Sequence, residues 1–516
     1  MIIFRKDRRR GVFSEVIPYA LRNLFRGMAV AVAGLLISFP CRGESSLKRG
    51  LCWDEAKLKL GEYQASLLVP GVSWVYNWGP SPANEGVYSE EFCFVPMAWN
   101  GSYDAGKIKS WLKNHPETRY LLGFNEPNFA SQAKMTPSQA ASAWPGLEAI
   151  AKEFEVKLVA PALNFSDSSV GGKVWGIYDW YDEFFRLYPE AKVDCLALHC
   201  YMNWSSATTW FATEYIYKDL YTASNKSKYP NLVRFLDNYK EANGHFPRMM
   251  LTEFCGWEYD YLPDVYFQID QMTQKVQKLE QSDLIEGYAW FIGNNTGGAS
   301  SFPYMSVLQT NSATSQLSDL GKVYVNMSSF DKTHYYRPEE MIMAKDYVDA
   351  SMDNRQVKVR PNTETGSSIP LQIELPSQGE CEYLVEVSSA GDYVFTIHMK
   401  SDSNPTLSLS VDNKSESETT GEKGKGVWED LLIDSKLTAG RHSVKLRNKG
   451  TSTIILNSLS FKSGSAGIEM MEMNRGGKRR VFNIQGIDLG DCDYDNLAPG
   501  LYLVKKENGE TEKLLK

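Results

Sequence analysis

Several features that would place this chain in a familiar functional class are missing from it. There is no excess of positive charge: the 516 residues sum to −8 at neutral pH, which excludes the basic footprint of a nucleic-acid-binding protein. There is no CxxC pair, and no His–Cys or His/Asp/Glu spacing of the metal-site kind, so no metal and no cofactor is expected. No glycine-rich phosphate loop follows the first apolar run, which argues against an open dinucleotide-binding sheet. Near the N-terminus no hydrophobic run reaches membrane-spanning length: the uncharged stretch 28–39 has twelve residues, against about 20 for a span.

That stretch instead reads as the core of an export signal. Arg5, Lys6, Arg8, Arg9 and Arg10 precede it, and Cys41-Arg42-Gly43 offers small residues for cleavage. Residues 1–43 are therefore expected to be a signal peptide, with a retained anchor as the alternative, and the mature protein to be secreted or cell-surface, with no stable membrane span after signal removal. Of the eight cysteines, Cys41 falls in the signal. The other seven are expected to be buried small hydrophobes, and no disulfide pair stands out. The protein is expected to act as a monomer.

What is present is tryptophan, thirteen in all. Every one but Trp428 lies between Trp53 and Trp290, so whatever uses them belongs to the first large domain. That domain, 47–330, alternates short apolar runs with amphipathic stretches. The runs are 49–54, 73–78, 92–99, 120–125, 157–164, 193–201, 248–254 and 286–293, each of the kind buried on both faces of a parallel sheet. Thr136-Pro137-Ser138-Gln139 is a helix start. A stripe at Leu232, Phe235 and Tyr239 ends at Gly244. One helix is expected to be missing between the second and third runs. Eight such units predict an α/β (β/α)8 barrel. From 336 to 462 the runs shorten and alternate, which predicts an all-β sandwich. Residues 463–479 read as a linker, and 480–516 as a small C-terminal β segment.

Two carboxylates fall where barrel chemistry collects. Glu126 follows the fourth run and Glu253 ends the seventh. Strand C-termini open on one face of a barrel, and the fourth and seventh lie across its mouth. Such a pair can protonate a glycosidic oxygen and attack the anomeric carbon. Burial and the neighbouring like charge are expected to raise the acid's pKa. Around the pair, Trp53, Trp78, Trp99, Trp257 and Trp290 are candidate sugar-stacking rings, and Asn77, Asn125 and Asn164 candidate hydroxyl-binding amides.

The strings Lys48-Arg49-Gly50-Leu51, Val75-Tyr76-Asn77-Trp78-Gly79, Gly123-Phe124-Asn125-Glu126-Pro127-Asn128, Ala160-Pro161-Ala162-Leu163-Asn164, Leu198-His199-Cys200-Tyr201 and Leu251-Thr252-Glu253-Phe254 occur in order. With them the domain resembles glycoside hydrolase family 128, the Asl-type glycosyl hydrolases. The resemblance implies Glu126 as acid/base, Glu253 as nucleophile and Asn125 as a partner of the sugar 2-hydroxyl or the nucleophile. It implies His199 and Tyr201 as supports and Trp290 as the aromatic floor of a subsite. The implied substrate is β-1,3-glucan, cleaved endo or exo with retention. Cys200 departs from the aromatic common there. Residues 336–462 resemble family 6-like carbohydrate-binding modules, which implies an accessory glycan site at Trp428 and Asn457; Met343 and Lys345 depart from that family's glutamates, some of which bind calcium. Residues 480–516, with Leu497-Ala498-Pro499-Gly500-Leu501-Tyr502, resemble Bacteroidota-type sorting tails. The alternatives are a glycan-binding surface protein without catalysis, or a hydrolase of another β-glucan or a β-mannan.

Overall fold

The computed structural model describes residues 46–203, 215–421, 424 and 426–464, and four strands between 479 and 515. The expected signal peptide at 1–43, most of the 463–479 linker and the connections of the tail lie outside the described residues. Among those described, no helix is long and apolar enough to cross a membrane.

Eight short parallel strands build the first domain: β1 (Arg49–Cys52), β2 (Trp74–Tyr76), β3 (Cys93–Phe94), β4 (Tyr120–Leu122), β5 (Lys157–Val159), β6 (Cys195–Cys200), β7 (Arg248–Phe254) and β8 (Ile285–Trp290). Their order is β3-β2-β1-β8-β7-β6-β5-β4. The two ends of that row meet just past β3, where Leu122 N–H donates to Pro96 O at 2.9 Å and Ala98 N–H to Leu122 O at 3.0 Å. The sheet thereby curls into a (β/α)8-like ring. Nearly every strand residue is buried, as both-face coverage requires.

The helices are α1 (Glu62–Leu68), α2 (Ala105–Asn114), α3 (Pro137–Phe154), α4 (Ile177–Leu187), α5 (Tyr215–Leu220), α6 (Ala223–Lys228), α7 (Pro230–Asn243), α8 (Val265–Gln281) and α9 (Asp319–Asn326). Between β2 and β3 there is only a single 3-10 turn, Glu85–Val87. The Thr136–Gln139 string forms a reciprocal capping box at the start of α3. Gly244 closes α7 at φ 78°, a conformation glycine adopts without a Cβ penalty. Asp264 caps α8 by accepting from Tyr266 N–H and Phe267 N–H.

Where alternation predicts a sandwich, two antiparallel sheets occur. One contains strands 358–361, 371–375, 454–463, 391–401 and 429–437, with the short strand Ile342–Met343 beside Ile454–Ser463; the other runs 349–350, 380–387, 440–448, 406–411 and 415–420. Burial alternates strictly along Glu380–Val387 and Gly440–Asn448. The tail strands Arg479–Asn483, Asp488–Cys492, Leu501–Lys505 and Thr511–Leu515 form a four-stranded antiparallel sheet. Cys52, Cys93, Cys195, Cys200, Cys255 and Cys381 are all buried, and none of these six forms a disulfide.

Candidate active site

The C-terminal ends of the barrel strands converge on one cavity of about 820 Å³, lined among others by Trp78, Trp99, Asn125, Glu126, Gln132, Asn164, Tyr201, Glu253, Trp257 and Phe291. Glu126 lies four residues beyond β4. Its φ of 44° is in the left-handed region, which non-glycine residues rarely occupy. The turn is held by Glu126 N–H to Ala162 O at 2.8 Å and by Phe129 N–H to Glu126 O at 2.9 Å. Strain of this kind persists where surrounding bonds over-determine the backbone. Gly123, just upstream, packs so closely that a Cβ there would stand 2.7 Å from Val159 O and 3.0 Å from the Trp144 ring.

Glu253 is the better-furnished acceptor. Trp78 Nε1–H donates to its Oε1 at 2.8 Å and Tyr76 O–H at 3.2 Å, while Tyr201 O–H makes a short bond to Oε2. An indole N–H can only donate, so these contacts favour the anion of Glu253 against the burial that opposes it. Asn164 Nδ2 donates to Glu126 Oε1 at 2.8 Å. His199, fully buried, stands between the two glutamates: its Nδ1 is 2.7 Å from Glu126 Oε1 and 3.4 Å from Glu253 Oε2, and its Nε2 is 3.0 Å from Thr252 Oγ1. Donor atoms of Glu126, His199 and Glu253 all lie within 4.8 Å of one another. The 2.7 Å contact between His199 and Glu126 lets this trio share a proton.

The charges follow from this packing. Burial pushes Glu253 up; His199 and the Tyr201 and Trp78 donors oppose the rise, and the Glu126 charge adds to it. Burial also raises Glu126, but the His199 and Asn164 hydrogen bonds outweigh it and hold Glu126 below the usual carboxylate range. Burial works against a charged His199, yet its two carboxylate neighbours leave its pKa raised. The raised carboxyl expected at Glu126 is therefore found at Glu253, because the imidazole bonds most closely to Glu126.

Eight of the twelve barrel residues expected at the site line the cavity: Glu126, Glu253, Asn125, Trp78, Trp99, Asn164, Tyr201 and Trp257. His199 sits directly behind them. Three do not reach it. Trp53 and Trp290 are fully buried core rings whose indole N–H groups donate to Leu58 O and Met305 O. Their strands aim them into the barrel wall, and Phe291, one residue on, takes the place expected for Trp290. Asn77 holds a turn, donating to Glu55 and Ser81 O and accepting from Gly79 N–H. Sequence reading missed Tyr76, Thr252, Gln132 and Phe291. Tyr76 was findable: it ends the strand just before Trp78, where side chains reach the mouth.

In the second domain Trp428 and Asn457 lie at either end of one polar chain. His398 stacks on Trp428 at 5.1 Å and 5°, its Nε2 is 2.9 Å from Glu364 Oε1, and Asn457 donates to the other oxygen of Glu364.

The chain is 31% identical to a GH128 (subgroup II) endo-β-1,3-glucanase from Pseudomonas viridiflava, over 55% of this chain and 98% of that one, with a TM-score of 0.40. It is 28% identical to a subgroup II endo-β-1,3-glucanase from Sorangium cellulosum, over 54% and 97% of the two chains, with a TM-score of 0.39. Among curated proteins it is 25% identical over 281 residues to alkali-sensitive linkage protein 1 of Schizosaccharomyces pombe; the match spans 54% of this chain and 44% of that relative. The family described as glycosyl hydrolase catalytic core matches residues 50–324, more than half of the chain, and this protein belongs to that family.

Proposed function

We propose that the protein is a retaining glycoside hydrolase of the GH128 kind, cleaving internal bonds of β-1,3-glucan, with Glu126 as acid/base and Glu253 as nucleophile. The observation that carries the mechanism is the separation. One oxygen of each carboxyl lies within 4.8 Å of the other, which favours direct attack across about 5–5.5 Å over the wider pair of an inverting site at about 6.5–9.5 Å. The substrate class rests on the two glucanases above, matched over nearly their whole length.

The steps follow from the contacts. The donors on Glu253 favour its ionised form and fix its direction. The proton between His199 and Glu126 moves along their 2.7 Å bond to Glu126, which passes it to the leaving glycosidic oxygen. Glu253 bonds to the anomeric carbon as that carbon–oxygen bond breaks. A water then attacks the same carbon, gives its proton to Glu126 and releases Glu253. Asn125 Oδ1 is buried with no hydrogen-bond partner among the described residues, so it is free to accept from a sugar hydroxyl. Trp78, Trp99 and Trp257 supply stacking faces.

Three further readings belong to this proposal. The protein is exported, on the strength of the basic and then apolar pattern before residue 43. The second domain is a family 6-like module with a glycan site at Trp428 and Asn457. The last segment is a sorting tail. The deciding experiment follows the first-formed product from a β-1,3-glucan by NMR, with Glu253→Ala as control. Retained β configuration and an inactive variant are expected; an α product or normal turnover by Glu253→Ala would refute the assignment.

A further inference from the structure

Helix α8 is buried on both sides. Asp270, Gln274, Gln277 and Gln281 recur at spacings of four, three and four and form one stripe; Gln268 and Lys275, seven apart, lie on the opposite one. The outer stripe grips the second domain. Asp270 takes a bidentate ion pair from Arg360 at 2.6 and 3.2 Å, Gln274 donates to Gln356 at 2.6 Å, and Gln277 donates to Asp349 and Ala350 O.

The inner stripe grips the mouth of the barrel. Gln268 accepts from Gly256 N–H at 3.0 Å and donates to Gly256 O at 2.8 Å and Pro303 O at 2.7 Å. Lys275, with no exposed surface, donates to Met202 O at 2.7 Å and Cys255 O at 3.3 Å. Those backbone atoms adjoin the site: Met202 follows Tyr201, Cys255 comes two residues after Glu253, and Gly256 precedes Trp257. The fit leaves no slack, since a Cβ on Gly256 would stand 2.5 Å from Asn203 Oδ1 and 2.9 Å from Gln268 Oε1.

We propose that the second domain is a positioning element of the catalytic site, acting through α8, with Arg360 and Gln356 holding the helix and Gln268 and Lys275 passing that constraint to the segments that carry Tyr201 and Trp257. The domain then does more than add a binding surface: it sets the reach of Trp257 toward the sugar. This rests on the glycosidase reading for its kinetic consequence, but not for its structural one.

The test uses the full chain with Arg360→Ala/Gln356→Ala, and Arg360→Lys as the conservative variant, whose point charge cannot restore the bidentate pair. Hydrogen exchange at the amides of 255–263 reads the constraint directly. It is expected to rise about tenfold or more, while the amides around Glu126 stay unchanged. On β-1,3-glucan, assayed well below the variant's melting temperature, KM is expected to rise about three- to tenfold with kcat within about twofold. Arg360→Lys falls between. Unchanged exchange at 255–263, with loosening confined to the interdomain contact, would overturn the proposal. If the unmutated protein hydrolyses no glucan, the function fails, and the exchange measurement still decides this inference.

Discussion

The bond from Tyr201 to Glu253 can be tested by itself. Replacing Tyr201 with phenylalanine removes one hydroxyl and keeps the ring, which packs edge-on to Trp257 at 5.5 Å and Phe291 at 5.4 Å. The lost contact is a hydrogen bond to a carboxylate in a buried site, worth about 1.5–3 kcal/mol. That bond favours ionised Glu253, and burial already drives its pKa upward, so losing the donor moves the pKa further the same way. At about 1.4 kcal/mol per pH unit, the shift is roughly one to two units. If the free enzyme needs Glu253 as an anion, the acidic limb of the kcat/KM profile moves to higher pH by that amount. Below that limb the variant loses about ten- to a hundredfold in kcat/KM. The assay is initial rates on a soluble β-1,3-glucan across the acidic and neutral range, with melting temperature as a control on folding. An acidic limb that stays in place, or moves to lower pH, in a variant of unchanged stability would refute the reasoning.

Glu286 joins β4, β5 and β7 below the barrel: burial would raise its pKa, but bonds from Lys157, Tyr120 and Arg248 bring it down to about 2. A depressed carboxyl stabilises the fold above its unfolded pKa and loses that contribution as pH falls toward 2. Because Lys157 and Arg248 are about half exposed, screening limits the effect to roughly 1–2 kcal/mol; melting curves of Glu286→Gln should be flatter between pH 5 and 2 than those of the unmutated protein. Arg49→Met should cost about 3–5 kcal/mol in urea unfolding, because it takes the cation from buried Glu280 and the donors from the carbonyls of Tyr324, Met327 and Ser328. Gly123→Ala should cost about 1–3 kcal/mol through overpacking against Val159 O and Trp144, and should lower kcat as well, since the displaced turn carries Glu126.

The barrel was legible because its strands are buried on both faces and leave unbroken apolar runs, and because α3 and α7 carry their caps in local sequence. The runs overshot the strands at their C-terminal ends. Residues 95–99 and 160–164 read as strand but lie past β3 and β5. There the pairing goes on only as isolated bridges, Met97 with Leu122, Ala162 with Asn125 and Leu163 with Leu198, and periodicity cannot mark where a continuous ladder breaks up.

The same limit explains which site residues were misjudged. A strand end gives the mouth of the barrel, but one residue of register decides between cavity and core, because neighbouring side chains point to opposite faces. Trp290 and Phe291 show this directly: both are aromatic, both lie at the end of β8, and only Phe291 lines the cavity. Trp53 and Trp78 follow β1 and β2 by one and two residues and part in the same way. The glutamates escaped this ambiguity because a buried carboxyl needs donors, and among the described residues these come from the mouth: Trp78, Tyr76 and Tyr201 for Glu253, Asn164 and His199 for Glu126. What sequence could not give was the coupling among them. His199 ties the two carboxyls into one titrating set, and that contact inverted the order of their pKa values. Under the proposed mechanism the acid is then the His199–Glu126 pair and not a single raised glutamate, so His199→Ala should distort both limbs of the pH profile, where Asn164→Ala should move only the one that reports Glu126.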